Sequence, residues 1–455
     1  MRSPTMPSAI LTERSSNMST KPMSTRKMWW IALISGMASY IDAAAMTSSG
    51  TALVLLKDTL ALTPEMIGVL SSALTFSVAI GALFGGRLGD LLGRKSVFIA
   101  TMVMIAAGSA MLVFVEVFPE LLAGMILVGL GAGADLPVSL ATISEMAKAG
   151  LRSSMIGFTH FLWKIGSMVA LGIATIVGSM GQLGAQILFG HILVITLLTL
   201  VARFAVPEST LWLEQREAEK AGATSRSDAA LGWTTLKTLL KAPFAKYFIV
   251  LAIFYTLMNL GSNTVGQYGA YMYTEVAGSS VQVYSTVKLI TMFLGAILVL
   301  LFMRVVGTRW RMTWFVGGAI CTITAMCVPL FFGVTEGTLN VMMFLWLIGT
   351  VFAGEGIMKI WTQESFPTLL RSSAQGAIIA IARFGSSALV LVTPVVLATG
   401  PGALFGFLAG SCLVAVVLAF VVFSRQRTTV IDQEEADAAA AQDAAVDAAP
   451  LRVQG

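Results

Sequence analysis

Charged side chains are scarce in this chain, and several of them interrupt long apolar runs. Asp42, Asp135, Lys164, Lys288, Glu355, Lys359 and Arg383 all fall inside such runs. A charge at the centre of a hydrocarbon layer costs about 2.5–3.5 kcal/mol on insertion scales, so each must face a partner or a water-filled cavity. Asp42 is the residue expected to carry a proton, because a carboxyl whose access to water changes can take one up and release it. Lys164 can either partner Asp42 or receive an anionic group. His160, one helical turn before Lys164, is a candidate proton relay, although a lone histidine also serves as a packed core residue. Glu355 and Lys359 are four residues apart and can satisfy each other along one helix. Arg383 can neutralise Glu355 or bind an anion itself. Asp135 precedes Leu136-Pro137 and either caps the backbone groups freed by the proline or lines a cavity.

A second constellation is neutral. Asn259, Asn263 and Gln267 are spaced i, i+4, i+8 and share one helical face, with Tyr268 and Tyr271 nearby. Amides offer donors and acceptors together, which suits a polyhydroxylated ligand, and aromatic rings stack on the apolar face of a sugar ring. The same amides can instead hydrogen-bond between helices and hold a bundle together. Gly261, Gly266 and Gly269 on this helix give it room to bend. Enzyme motifs are lacking: the chain has no Gly-x-x-x-x-Gly-Lys-Ser/Thr phosphate loop, and its histidines are His160 and His191 alone. Cys321, Cys327 and Cys412 lie in apolar runs without metal-binding spacing. Neither catalysis, a metal nor a cofactor is expected.

The elements that must position these residues follow from composition. The 455 residues are 56% hydrophobic and 12% charged, with a mean hydropathy of +0.83, which no soluble surface matches. An all-α polytopic membrane protein is the expected class. Apolar runs lie near 29–56, 65–86, 96–116, 120–145, 153–179, 184–205, 243–275, 281–303, 312–334, 337–363, 372–399 and 401–424. Each can cross ~30 Å of hydrocarbon, which takes about 20 residues, so twelve spans are expected. The first run is too long for the core of a signal peptide and reads as a retained helix.

Lysine and arginine set the orientation. With both termini cytoplasmic, the inner loops near 87–95, 146–152, 206–242, 304–311 and 364–371 carry nearly all the basic residues outside the spans, and Lys57 alone is basic outside. The net charge of +5 therefore reflects topology, and no nucleic-acid partner is expected. Five segments result: a cytoplasmic tail over 1–28, six spans over 29–205, a cytoplasmic linker over 206–242, six spans over 243–424, and an Ala- and Asp-rich disordered tail over 425–455. The expected location is the inner or plasma membrane.

Short charged corners give the most specific signal. Gly86-Arg87-Leu88-Gly89-Asp90-Leu91-Leu92-Gly93-Arg94-Lys95 is a glycine-punctuated link too brief for anything except a tight turn between helices. It resembles the loop signature between the second and third helices of the major facilitator superfamily of transporters. Pro207-Glu208-Ser209-Thr210-Leu211-Trp212-Leu213 resembles the Pro-Glu-Ser-x-x-x-Leu signature of that family's sugar porter branch and its organic-ion relatives, and Glu364-Ser365-Phe366-Pro367-Thr368 through Arg371 to Gly376 resembles the same branch's motif after helix ten. An internal repeat agrees. Glu145 and Arg152 follow the fourth span as Glu364 and Arg371 follow the tenth, and Gly93 has a weaker echo at Gly307 with Arg309 and Arg311.

The resemblance implies two pseudo-symmetric six-helix halves with a site between them near the bilayer midplane. It further implies alternating access by a monomer, with Gly86, Asp90, Gly93, Arg94, Lys95, Glu145, Arg152, Glu208, Glu364 and Arg371 as cytoplasmic gating residues whose ion pairs break on rocking. The substrate-binding candidates are Lys164, Asn259, Asn263, Gln267, Tyr271, Glu355 and Arg383; the proton-coupling candidates are Asp42, Asp135 and His160. One departure stands out. Helix four of this branch carries an arginine four residues before its Gly-x-Gly-x-Gly run, and here, before Gly129, Gly131 and Gly133, that position is Met125. The function implied is import of a sugar or polyol with a proton or another coupling ion; import of small carboxylates is the alternative, and a non-transporting nutrient sensor is a third.

Overall fold

A computed structural model describes residues 24–147, 149–209, 212–213, 216–217, 237–306, 308–366 and 368–424. Most of the 206–242 linker and the two tails lie outside these residues, as do the side chains of Asp90, Arg152 and Arg371. Among the described residues the architecture is entirely helical, and twelve helices are long and apolar enough to cross a membrane. The first six are α1 (Thr25–Leu56), α2 (Pro64–Leu92), α3 (Arg94–Val113), α4 (Phe118–Met146), α5 (Ala149–Val177) and α6 (Gln182–Phe204). The second six are α7 (Ala245–Val276), α8 (Val281–Val305), α9 (Arg311–Phe332), α10 (Glu336–Ser365), α11 (Thr368–Thr399) and α12 (Pro401–Phe423).

Local chemistry explains the boundaries. Ser24, Thr63 and Ser280 each accept a hydrogen bond from a first-turn amide of α1, α2 and α8, and Thr335 and Thr338 cap α10 reciprocally. Pro64 and Pro401 sit in first turns, where no amide hydrogen is needed. Two features depart from the expected continuous spans. The last turn of α7, Met272–Val276, widens into a π-helix. More consequentially, α10 breaks at Gly354, where a Cβ would collide with the Thr350 carbonyl oxygen, so the apolar run 337–363 is two helical pieces.

Within the first half, α4 packs closely between α2 and α3 because its glycines leave no room for side chains. A Cβ on Gly129 would come 2.7 Å from the Leu74 carbonyl oxygen, one on Gly133 would strike the Val78 carbonyl, and one on Gly131 would meet Ile105 at 2.6 Å. The halves meet chiefly through α2 against α11, α5 against α8 and α1 against α7. These contacts gather toward the face that holds the α1–α2 loop. There Gly50 abuts the Gln267 backbone, Gly68 abuts Leu391, and Gly178 abuts Val281. Lys57 forms an ion pair with Glu275 across the halves. The other face, which carries Arg94, Lys95, Lys241, Arg309 and Arg311, is here called the basic face.

Candidate functional site

The contacts between the halves close the space between them at the end that holds the α1–α2 loop; that space is here called the path, and its closed end is built first. Gln267 Nε2 on α7 donates to Thr75 Oγ1 on α2 at 2.7 Å, and Ser72 Oγ on α2 donates to the Ser387 carbonyl on α11 at 3.1 Å. The rings of Phe76 and Phe384 meet edge-on, with centroids 5.8 Å apart, and form an aromatic roof between α2 and α11. Tyr271 is buried beyond that roof, near Lys57 and Glu275 and away from the path, which places this binding candidate in the seal.

Below the roof lies the amide array. Asn263 Nδ2 donates to Asn259 Oδ1 at 2.5 Å, and Ser386 Oγ on α11 donates to the same oxygen at 3.2 Å. Asn259 and Asn263 are half-buried, whereas Gln267 is buried and spent on the seal. The three predicted amides thus divide. Two line the path, and the third joins the halves.

Asp42 on α1 is 3% exposed. Its Oδ2 accepts a hydrogen bond from Trp163 Nε1 on α5 at 3.2 Å, while Oδ1 accepts none among the described residues. The cation that acts on it is Arg383, from the other half, rather than Lys164. Arg383 also acts on the Tyr255 hydroxyl, which neighbours both Glu355 and Asn259. Further toward the basic face, Lys164 and His160 lie within electrostatic reach of Glu355 and Lys359. Lys359 Nζ is 2.6 Å from Glu355 Oε1, an i,i+4 pair on the second piece of α10. Lys164, His160 and Glu355 are all exposed. The chemistry available is reversible protonation at Asp42, hydroxyl recognition by the amides, and anion attraction by Arg383 and Lys164.

Asp135 belongs elsewhere. Both of its oxygens are taken by Arg203, at the end of α6, with Nη2 to Oδ2 at 2.6 Å, and Thr101 Oγ1 donates to Oδ1 at 3.0 Å. Arg203 also lies over the Phe98 ring, 4.2 Å from its centroid, and both charged side chains are wholly buried. This proton-coupling candidate is therefore corrected to a sealed ion pair joining α3, α4 and α6, because its carboxylate has no route to the path.

Among the described residues, the gating candidates Arg94, Lys95, Glu145, Glu208 and Glu364 cluster at the basic face, and their interactions run within halves rather than between them. Gly93 turns α2 into α3 with φ +95°, a conformation that favours glycine. Arg94, the first residue of α3, sends Nη2 to Glu145 Oε1 on α4 at 2.8 Å. Arg311, the first residue of α9, sends Nη1 to Glu364 Oε1 on α10 at 2.5 Å. The two corners are pseudo-symmetric copies. Glu208 Oε1 accepts from the Arg94 amide at 2.9 Å, its Oε2 accepts from the Lys95 amide at 3.2 Å, and Lys95 Nζ donates to the Phe204 carbonyl at 3.0 Å. A carboxylate on the N-terminus of α3 complements the helix dipole. Each of these pairs ties helices of one half, so separation of the halves at this face leaves them formed.

Sequence reasoning missed Trp163, Tyr255, Ser386 and Arg203. Signals existed: Trp163 adjoins Lys164, Tyr255 precedes Asn259 by one turn, and Arg203 is a solitary cation ending an apolar run.

Comparison with known proteins extends this picture. The Major Facilitator Superfamily model matches residues 28–390. The minor myo-inositol transporter IolF of Bacillus subtilis is 32% identical over 399 residues, covering 86% of this chain and 90% of that protein. The niacin transporter NiaP of Acinetobacter baylyi is 25% identical over 421 residues, covering 88% and 93%. Among solved structures, a D-xylose-proton symporter superposes with a TM-score of 0.70 at 16% identity, covering 87% of this chain and 97% of that one.

Proposed function

The chain belongs to the Major Facilitator Superfamily, and we propose that it imports a sugar or polyol together with a proton by alternating access. That it is a multi-pass membrane transporter with a small-molecule substrate, and no enzyme, follows from the family. The observation that carries the finer reading is the array of Asn259, Asn263 and Ser386 lining a path that also holds the buried carboxyl of Asp42. The amides read hydroxyls, Asp42 exchanges the proton, and Trp163 orients it through the indole N–H. The likeness to a myo-inositol transporter supports the substrate class.

On this reading the basic face is cytoplasmic, in keeping with the excess of lysine and arginine there, and both termini lie inside the cell membrane. The path opens inward. The whole path lies within one chain, which supports a monomeric working unit surrounded by lipid. The ion pairs Arg94–Glu145 and Arg311–Glu364, with Glu208 on α3, keep each half rigid while the halves rock.

A second reading, import of a small organic acid, is favoured by the placement of Arg383 and Lys164 in the path. The deciding experiment is uptake into proteoliposomes of labelled myo-inositol, hexoses, pentoses and small carboxylates, with and without an inward proton gradient, for the wild type and Asp42→Asn. Gradient-dependent accumulation of a polyol or sugar that fails in Asp42→Asn is the expected result. Accumulation of carboxylates alone overturns it in favour of the second reading, and binding without uptake in any condition overturns both.

A further inference from the structure

We propose that the substrate is a polyhydroxylated monocarboxylate, a sugar acid whose carboxylate is held by Arg383, one turn before Ser386 on α11, with Lys164 adding to the positive field, while Asn259, Asn263 and Ser386 read its hydroxyls. This rests on the reading of the path as a polyol route and narrows it. The acids of the path are already engaged by protein groups. Glu355 is paired with Lys359 at 2.6 Å, and Asp42 takes the Trp163 N–H at 3.2 Å. The bases are not equally engaged. Among the described residues neither Arg383 nor Lys164 forms an ion pair or a hydrogen bond through its side chain with a carboxylate, although both lie within electrostatic reach of one.

Charge balance sets the sign of the ligand's charge. Lys164, Lys359 and Arg383 against Asp42 and Glu355 leave one positive charge in the path when both carboxylates are ionised, and two when Asp42 carries the proton, so an anion is favoured in either state. An unneutralised cation at this depth is costly, so the site favours an anion that remains hydrated elsewhere on its surface. Hydroxyls supply that second requirement, since the amide array continues directly from the cation.

Titration of the purified full chain, read by tryptophan fluorescence and by calorimetry, tests this with named probes: D-gluconate, D-glucuronate, glucitol, myo-inositol, hexanoate and glucose 6-phosphate. At least one sugar acid should bind about tenfold or more tighter than glucitol and than hexanoate, the scale of a charge-assisted contact of roughly 1.4 kcal/mol. Arg383→Gln and Lys164→Gln should each shrink that advantage, and Arg383→Lys should retain more of it than Arg383→Gln. Equal affinity for glucitol and gluconate overturns the proposal and leaves the polyol reading standing. Equal affinity for hexanoate and gluconate overturns both, and so does failure of every hydroxylated probe. A preference for glucose 6-phosphate, or an advantage that survives both glutamine variants, overturns the proposal alone. Should the variants fold poorly, the wild-type panel decides by itself.

Discussion

The fourth and tenth helices hold matching places in the two halves, yet they meet the problem of an acid inside the membrane in opposite ways. Their ends are alike: Glu145 pairs with Arg94 and Glu364 pairs with Arg311. Their middles are not. Helix α4 runs unbroken through Asp135-Leu136-Pro137 and locks Asp135 to Arg203 in a pocket closed to solvent. Helix α10 breaks at Gly354 and starts again with Glu355, which is 51% exposed in its side chain and paired with Lys359 along its own helix. The first half is braced internally at this level. The second half carries a joint there, with its acid facing the path. Rocking of two bundles needs one stiff body and some local give, and backbone breaks are where such give is absorbed.

The widest separation between the two sites should appear in stability. Arg203→Leu leaves the Asp135 carboxylate buried without its partner, a loss of about 3–5 kcal/mol. The expected outcome is a collapse in folded yield and a lower unfolding temperature in detergent, with the double change Asp135→Leu/Arg203→Leu recovering most of it. Lys359→Ala removes an exposed pair and should cost about 1 kcal/mol or less. Similar losses from Arg203→Leu and Lys359→Ala would erase the distinction between brace and joint.

Next in size is the Asp42 carboxyl. Asp42→Asn should reduce gradient-driven accumulation by about tenfold or more while substrate counterflow continues, because exchange across a loaded carrier requires no proton release. Loss of counterflow to the same degree would make Asp42 a structural residue of the first half. A smaller effect is expected at the joint. Gly354→Ala presses a Cβ against the Thr350 carbonyl and should lower transport several-fold, at a cost of about 1 kcal/mol from overpacking. Unchanged transport with raised stability would show that the break is dispensable.

How much of this was legible beforehand depended on distance along the chain. Spans follow from apolar length alone, so all twelve could be read, and Glu355 with Lys359 is a spacing of four that a helix must bring together. The symmetric glutamates at 145 and 364 were visible as a repeat. Arg203 and Asp135 are 68 residues apart, and Trp163 and Asp42 are 121 apart. No local rule pairs residues at such separations. The sequence reading offered Lys164 either as a partner for Asp42 or as a receiver of an anionic group, and the fold supplies Trp163 and Arg383 as the neighbours of Asp42. The break at Gly354 was hidden for a different reason: hydropathy is indifferent to backbone continuity, and the run 337–363 stays apolar across it. The charged motifs stand at helix ends, as their short spacing suggests, while the partner of each, within its own half, required the packing.

The smallest effect belongs to the one ion pair among the described residues that ties a loop of the first half to α7 of the second, Lys57 with Glu275. Lys57 lies just past the end of α1, and the neighbouring Glu275 carboxylate raises its ammonium above the ordinary lysine range. A raised folded-state value for a base gives stabilisation that is fully present below its unfolded value of about 10.5 and is lost as pH rises through the folded one. The contribution of Lys57 to the latch is therefore undiminished at every pH below about 10.5. An exposed pair is worth about 0.2–1 kcal/mol, so Glu275→Gln should shift the balance of open and closed arrangements by a factor of about five or less. Alkylation of a cysteine placed at Ser154, which is exposed near the start of α5 at the basic face, measures that balance. Its rate should fall in Glu275→Gln as the halves separate at the latch and close at the basic face. A rate that stays constant would assign the closure of this face to the glycine contacts at Gly50 and Gly68 instead.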